Sequence, residues 1–589
     1  MNFEKYTVER DNIKNILGYI ESGDIAIPEL QRPFVWKQYQ ITELIESLYR
    51  GLPTGFIVVW TSDTAKLKDG TKSIGKKIII DGQQRITALR SVLLGKEVIT
   101  QDFSVKIFKV AYNPYTEEFE SQIPIHLKSS KWIPDISIFF DSSFSDFDFI
   151  SNFVKKNPDM DTNELAKKIS KVKAIVNREI GKINLSSRLD IAEATNIFNL
   201  MNTKGTRLGQ EDFIMAKLSS NTDDEGSNLW QTIDYLCKGL IDKRYLKEIP
   251  QKDKDFFESE YYNQLKWLLK FDKTIYKPTY NDVLRVSYSY AFKSGILRRL
   301  TELLSGRNFE TKKIEPAIAK ESYKKLKMGI FSFINEHNFK TFNLYIESTG
   351  VKYDKLINSQ SALNSAYIIY LLLKDDANIK NADIKTYVQK WYIMSILTKR
   401  YSASSETRID QDIKNIQEKG FLNYFNEIES SILNSEFWKI QLVQDLETSS
   451  SNSPAYLIYL AAQINNKAYA LFSKKMFVED LIKIKGDTHH IFPANYLKEN
   501  NIFAIKKINQ VANYAFIDTT INIDISDDAP DKYFPIILNN YKKEEFEENL
   551  KQNCIPQNII KYNYRHYDKF LKERRILIAN YIKDYYESL

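Results

Sequence analysis

Cysteine is almost missing: Cys237 and Cys554 are the only two among 589 residues. That excludes a disulfide scaffold and a cysteine-built zinc site of the CxxC…CxxC kind, and a reducing compartment suits the chain. Histidine is nearly as scarce, with five, and the 19 glycines and 15 prolines are too few for a collagen-like or largely disordered polymer. No stretch approaches the ~18 uninterrupted apolar residues of a membrane span. The opening residues MNFEKYTVERDN lack the basic-then-apolar layout of a signal peptide, so a cytoplasmic protein with no membrane partner is expected. A strong charge of one sign is also lacking. Lys and Arg exceed Asp and Glu by 7 (83 against 76), which permits a polyanionic partner without requiring one.

What is present is length and apolar content. With 43% hydrophobic and 13% aromatic residues, the chain can bury several cores, and the expected class is multidomain α+β, mostly helical. Residues 1–215 mix short β-like runs, FIVVW at 56–60 and KKIIID at 76–81, with helical ones. Within them, residues 141–171 are rich in Asp and Ser (DSSFSDFDF, NPDMDTNE) and read as an exposed insertion. Residues 216–450 hold only Pro250, Pro278 and Pro316, and segments such as YYNQLKWLLKF space apolar residues by three and four; an all-α middle is expected. The run ETSSSNSP at 447–454 reads as a linker, so a C-terminal domain is expected over 451–589. The tail from 561 to 589 interleaves tyrosines with basic residues. It could track a phosphate backbone, but an amphipathic closing helix is the simpler account.

Two places carry chemistry. In IIIDGQQRITALRSVLLG (78–95) a buried-strand pattern runs into a helix with Ile86, Leu89 and Leu93 on one face and Gly95 as its stop. Asp81 can cap the helix and Gly82 lets the chain turn sharply, while Gln83, Gln84 and Arg85 fill the first turn. Free amides and the helix dipole make such a turn an anion site, and an arginine adds a bidentate phosphate donor. The plain alternative is a capped turn with a surface arginine. Upstream, IPELQRPFVWKQYQITELIESLYRGLPTG (27–55) places Gln31, Arg32, Phe34 and Trp36 before a helix whose apolar side is Ile41, Leu44, Ile45 and Leu48.

The second place is KGDTHHIFP (485–493), which puts two of the five histidines side by side after the β-like run FVEDLIKIKGD. Downstream, INQVANYAFIDTTINID (508–524) supplies Asn513 before a short strand and Asn522 at the start of an expected helix. Phosphodiester hydrolysis needs a base for water and a cation for the charge on phosphate and leaving oxygen, and imidazole suits the first task near neutral pH. For the pair alone, two surface histidines in a turn is the alternative; the downstream spacing and the Ile-Phe-Pro step favour a site.

The N-terminal stretches closely resemble the GmrSD-type restriction family, which includes SspE-like and GmrSD-like phage-defence proteins. Its N-terminal domain, related to ParB and sulfiredoxin, carries "IPxxQRxFxW", "LIxSLxxGxP" and "DGQQRxTAL". A further family-like block contains Asn202, Gly205, Leu208 and Asp212. The resemblance implies binding and hydrolysis of a nucleoside triphosphate (GTP, ATP or another) by residues 1–215. Arg32 and Arg85 would contact phosphates, Asp81 would hold a cation or orient water, and Gln31, Gly82, Gln83 and Gln84 would line the site.

The C-terminal pattern resembles a ββα-metal (HNH) nuclease. That likeness implies His490 as general base, His489 and Asn522 as metal ligands and Asn513 as the brace of the loop, with Asp487 a substitute ligand. Such nucleases often carry Asp or Glu where His489 stands, so the divalent ion could be Mg or Mn, or Ni or Zn. The combined expectation is a nucleotide-regulated DNA endonuclease of bacterial defence against phage DNA, probing modified bases or backbone, and compatible with a homo-oligomer. Two other classes remain: a ParB-like DNA-binding or regulatory protein with a non-catalytic HNH remnant, and a stand-alone nucleotide hydrolase.

Overall fold

The computed structural model describes residues 4–26, 34–61, 77–100, 104–187, 189, 210–221, 225–272, 274–484, 488–517 and 527–589. The described residues are mostly helical with a small sheet. They form two compact units, Met1–Leu269 and Lys270–Leu589.

The first unit is built on a five-stranded mixed sheet in the order Tyr6–Asn12, Glu179–Leu185, Phe56–Thr61, Lys77–Asp81, Ile25–Ala26. Phe56–Thr61 is central. It runs parallel to Glu179–Leu185 and antiparallel to Lys77–Asp81, and its Ile57, Val58, Val59 and Trp60 are all buried, as a strand covered on both faces requires. Ile57, Val59 and Ile79 share a core with Ile41, Leu44, Ile45 and Leu48 of helix Gln38–Tyr49 and with Ile86, Leu89 and Val92 of helix Gln83–Leu94. Burying each such aliphatic chain contributes about 1.5–3 kcal/mol, whereas helix propensities of ordinary residues differ by at most about 0.7 kcal/mol. The apolar stripes, not composition, hold these helices.

Residues 141–171 are not an exposed insertion. They contain helix Asp146–Lys156 and most of helix Thr162–Lys173, and Phe153, Met160, Leu165 and Ile169 enter the same core. The polar residues that suggested a loop are caps: Ser145 Oγ accepts from Asp148 N at 3.3 Å, and Asp161 Oδ1 accepts from Glu164 N at 2.8 Å.

The second unit packs long helices, among them Tyr280–Phe292, Pro316–Ile334, Gln360–Lys374, Asn381–Leu397, Pro454–Asn465 and Tyr567–Ser588. Of the three prolines in 216–450, Pro250 and Pro316 sit in the first turn of their helices and Pro278 stands two residues before one, where a missing N–H costs nothing. At Gly329 a Cβ would lie 2.4 Å from the carbonyl oxygen of Ser287, so glycine is what lets two helices touch there. The stretch 447–454 is tied down: the Thr448 carbonyl accepts from Val511 N at 2.9 Å, and Pro454 opens a helix buried from Ala455 to Ile464. The sequence-drawn boundary at 450/451 therefore falls inside a compact unit, and that at 215/216 falls within helix Gln210–Ser220. Among the described residues no helix is long and apolar enough to cross a membrane. Both cysteines are buried and neither forms a disulfide, and burial pushes the Cys554 thiol up to about 12, which keeps it unreactive.

Candidate functional site

In the first unit, strand Lys77–Asp81 passes through Gly82 into helix Gln83–Leu94, and Gly95 ends that helix in the left-handed conformation. Gly82 is required twice over. Its φ is +92°, and a Cβ there would meet Ile57 Cγ2 at 2.7 Å. Asp81 does not cap the helix as expected: it is the last strand residue, Gly82 holds the cap position, and no side chain caps the N-terminus. Gln83 is buried. Gln84 Oε1 accepts from Val35 N at 2.9 Å, which draws the Phe34–Trp36 end of the upstream stretch onto the DGQQR turn. Arg85 Nη1 donates to the Phe56 carbonyl at 2.8 Å, so phosphate capture by both of its arms requires giving up that bond. Gln31, Arg32, Asn202, Gly205 and Leu208 lie outside the described residues.

In the second unit, Thr488–His490 and Tyr514–Phe516 form an antiparallel ribbon that sets His489 opposite Ala515 and His490 opposite Tyr514. The segment before it is helical over Val478–Lys483, not a β run. Val478, Leu481 and Ile482 are buried at helical spacing and two acidic residues sit in the first turn.

Asn513 closes the loop between the strands. Fully buried (0% exposed), it accepts from Phe492 N at 2.9 Å through Oδ1. Through Nδ2 it donates to the carbonyls of Phe492 and Ile508, both at 3.1 Å. One amide thereby pins both ends of the turn that follows His490.

The His490 ring stands edge-on to Tyr514, 5.1 Å between centroids, with Nε2 3.0 Å from Asn509 Oδ1. A carboxamide oxygen only accepts, so Nε2 carries the proton and Nδ1 keeps the lone pair. Burial lowers the His490 pKa below its ordinary value and the Asn509 bond opposes that; the imidazole is neutral at neutral pH. His489 turns the other way, as neighbours on a strand do: it is 5% exposed, with its ring edge-on to Tyr533. The two imidazoles are thus not brought to one spot. Asn522 and Asp487 lie outside the described residues, and among the described residues no three His, Cys, Asp or Glu side chains gather to hold a metal.

Several supports escaped the sequence reading. Asn509 is one, with no signal beyond its place four residues before Asn513. Tyr533 donates to the Ile491 carbonyl at 2.7 Å and Tyr567 to the Lys507 carbonyl at 2.9 Å. Arg574 is 0% exposed and donates through Nη1 to the Ala512 carbonyl at 2.8 Å and through Nη2 to that of Asn553 at 3.2 Å. Its signal was in the text: Arg574 interrupts the apolar stripe Phe570, Ile578, Ile582 at four-residue spacing. His126 and His566 serve structure, the first stacked on Trp132 and bonded to Glu120, the second stacked on Tyr562.

An uncharacterized protein of Methanocaldococcus jannaschii is 21% identical over 590 residues, an alignment spanning 92% of this chain and 90% of that protein. The likeness therefore runs through both units. Residues 13–219 match the model described as GmrSD restriction endonuclease, N-terminal domain, which covers the DGQQR turn and the segment that Gln84 draws onto it. Over that span the chain is similar to the N-terminal domains of GmrSD restriction endonucleases.

Proposed function

We propose that the chain is a restriction-type DNA endonuclease that cuts through an HNH-like site in its second unit and is regulated by a nucleoside triphosphate on a ParB/sulfiredoxin-like first unit. The observation that carries this reading is the His490 imidazole: neutral, half-buried, held at Nε2 by Asn509 and seated in a ribbon that Asn513 locks. Its Nδ1 lone pair takes a proton from a water molecule as that oxygen attacks the phosphorus, and the bond to the departing deoxyribose oxygen breaks, that oxygen leaving as a hydroxyl with a proton from solvent. Fixing the ring in one tautomer spares the reaction the cost of orienting its base. Asn513 acts through the loop and is a positioning residue. The HNH likeness implies a divalent ion on His489 and Asn522 that would neutralise charge on the phosphate and the leaving oxygen, but His489 faces away from His490 and is buried against Tyr533, so an ion on that ring would not stand on the side of the ribbon where His490 meets water; an imidazole and a carboxamide are neutral donors that fit Mn, Ni or Zn better than Mg.

In the first unit, the N-terminus of helix Gln83–Leu94 is the proposed phosphate site, with Gln31, Arg32, Asp81, Gln84 and Arg85 around it. Nucleotide turnover there would license the cut once modified phage DNA is bound. The test measures nucleotide hydrolysis and DNA cleavage side by side on plain, glucosylated-hydroxymethylated and phosphorothioated DNA. One of these substrates is expected to stimulate both activities, and Asp81→Ala with Arg85→Ala to remove the turnover. Turnover at the wild-type rate in that double variant would overturn the nucleotide assignment, and equal indifference to all three DNAs would overturn the recognition of modification.

A further inference from the structure

Beside the His490 ribbon runs an open cleft of about 750 Å³ between residues 504–510 and the closing helix Tyr567–Ser588. Four cations line it: Lys506, Lys507, Lys572 and Arg575. Two of them meet carboxylates, Lys507 with Asp568 at 2.7 Å and Arg575 with Glu447 at 3.4 Å. The Lys507–Asp568 pair is exposed on both sides, and pairs of this kind exchange partners at little cost; Arg575 is 12% exposed, with its partner Glu447 largely in solvent. Lys506 and Lys572 stand exposed, with no carboxylate in bridging range among the described residues.

The cleft is also joined to the proposed cutting site. Arg575 Nη1 donates to Gln510 Oε1 at 2.9 Å, and Gln510 is the neighbour of Asn509, whose amide oxygen holds the His490 ring. The neighbouring residues Asn509 and Gln510 thus tie the His490 ring to the edge of the cleft.

We propose that this cleft binds the sugar-phosphate backbone of duplex DNA, with Lys506 and Lys572 as direct phosphate contacts and Arg575 as an oriented third. The inference rests on the endonuclease reading for its choice of polyanion, while its residues come from the cleft alone. Phosphate contacts by lysine carry no sequence preference and show themselves in the salt dependence of binding.

The test titrates a short duplex DNA of arbitrary sequence onto the full chain carrying His490→Ala, so that the DNA stays intact, over a series of salt concentrations. Adding Lys506→Ala and Lys572→Ala is expected to weaken binding roughly tenfold and to lower the slope of log Kd against log salt by about two. The pair Lys380→Ala and Lys385→Ala, exposed on the same unit, is expected to leave both unchanged. A cleft variant with the parent's slope, or a loss seen with single-stranded RNA but not with duplex DNA, overturns the proposal. If the unaltered chain cuts DNA and the cleft variant keeps its slope, the cleft falls and the endonuclease stands. A lowered slope in a chain that never cuts leaves the cleft as a DNA site and removes the nuclease.

Discussion

His490→Ala is expected to lower the rate of DNA cleavage by about 10²- to 10⁴-fold, the range general-base catalysis supplies, while DNA affinity stays near that of the unaltered chain. The effect is large because none of the described side chains named around the ring offers a second base. His489 is turned to the far face and buried against Tyr533, and Asn509 and Asn513 are amides without basicity near neutral pH. The fold should tolerate the change: the ring makes one side-chain hydrogen bond and one edge-on aromatic contact, so unfolding midpoints should move by no more than about 1 kcal/mol in stability. Cleavage rate, binding and thermal unfolding measured on one preparation check all three. A variant that cuts at the original rate removes His490 from the chemistry.

Arg574→Met is expected to cost the second unit about 2–3 kcal/mol, each buried carbonyl left without its donor costing about 1–3 kcal/mol and the freed desolvation of a guanidinium returning part of that. Methionine keeps the apolar stem, so the loss measures the two bonds to Ala512 and Asn553 more than a cavity. Its neighbour is the control. Arg575→Met breaks a long pair with an exposed Glu447 and a bond to Gln510, and should cost about 1 kcal/mol or less. Denaturant unfolding of both variants tests the contrast; equal losses would mean that Arg574 does not hold the loop. Because Ala512 immediately precedes Asn513, Arg574→Met should also slow cleavage, an effect that Arg575→Met reaches only through DNA binding.

Local order was legible in the sequence wherever a pattern recurs within one element. The strand ending at Asp81, the turn at Gly82 and the stop at Gly95 follow from spacing and from glycine's access to positive φ. So do the short strand after Asn513 and the stripe of Ile41, Leu44, Ile45 and Leu48. Where a residue type has two uses, the text misled. Asp and Ser between 141 and 171 read as loop formers and are helix caps, Asp81 read as a cap and ends a strand, and Val478–Lys483 alternates enough to read as strand while burying a helical face. Beyond reach were the bonds between distant residues. Gln84 meets Val35 across 49 positions and Arg574 meets Ala512 across 62, and no local periodicity encodes either. Asn509 escaped for a related reason: its partner is a ring 19 residues earlier, brought near only by the ribbon.

The central claim is that the ribbon bearing His490 cuts DNA, and the most direct measurement is conversion of supercoiled plasmid by the full chain across Mg, Mn, Ni and Zn, with and without GTP or ATP. Nicked or linear product with at least one ion, suppressed by a chelator, is the expected result. Plasmid that is bound yet stays supercoiled under every ion and nucleotide would contradict the claim and leave a DNA-binding protein in place of a nuclease.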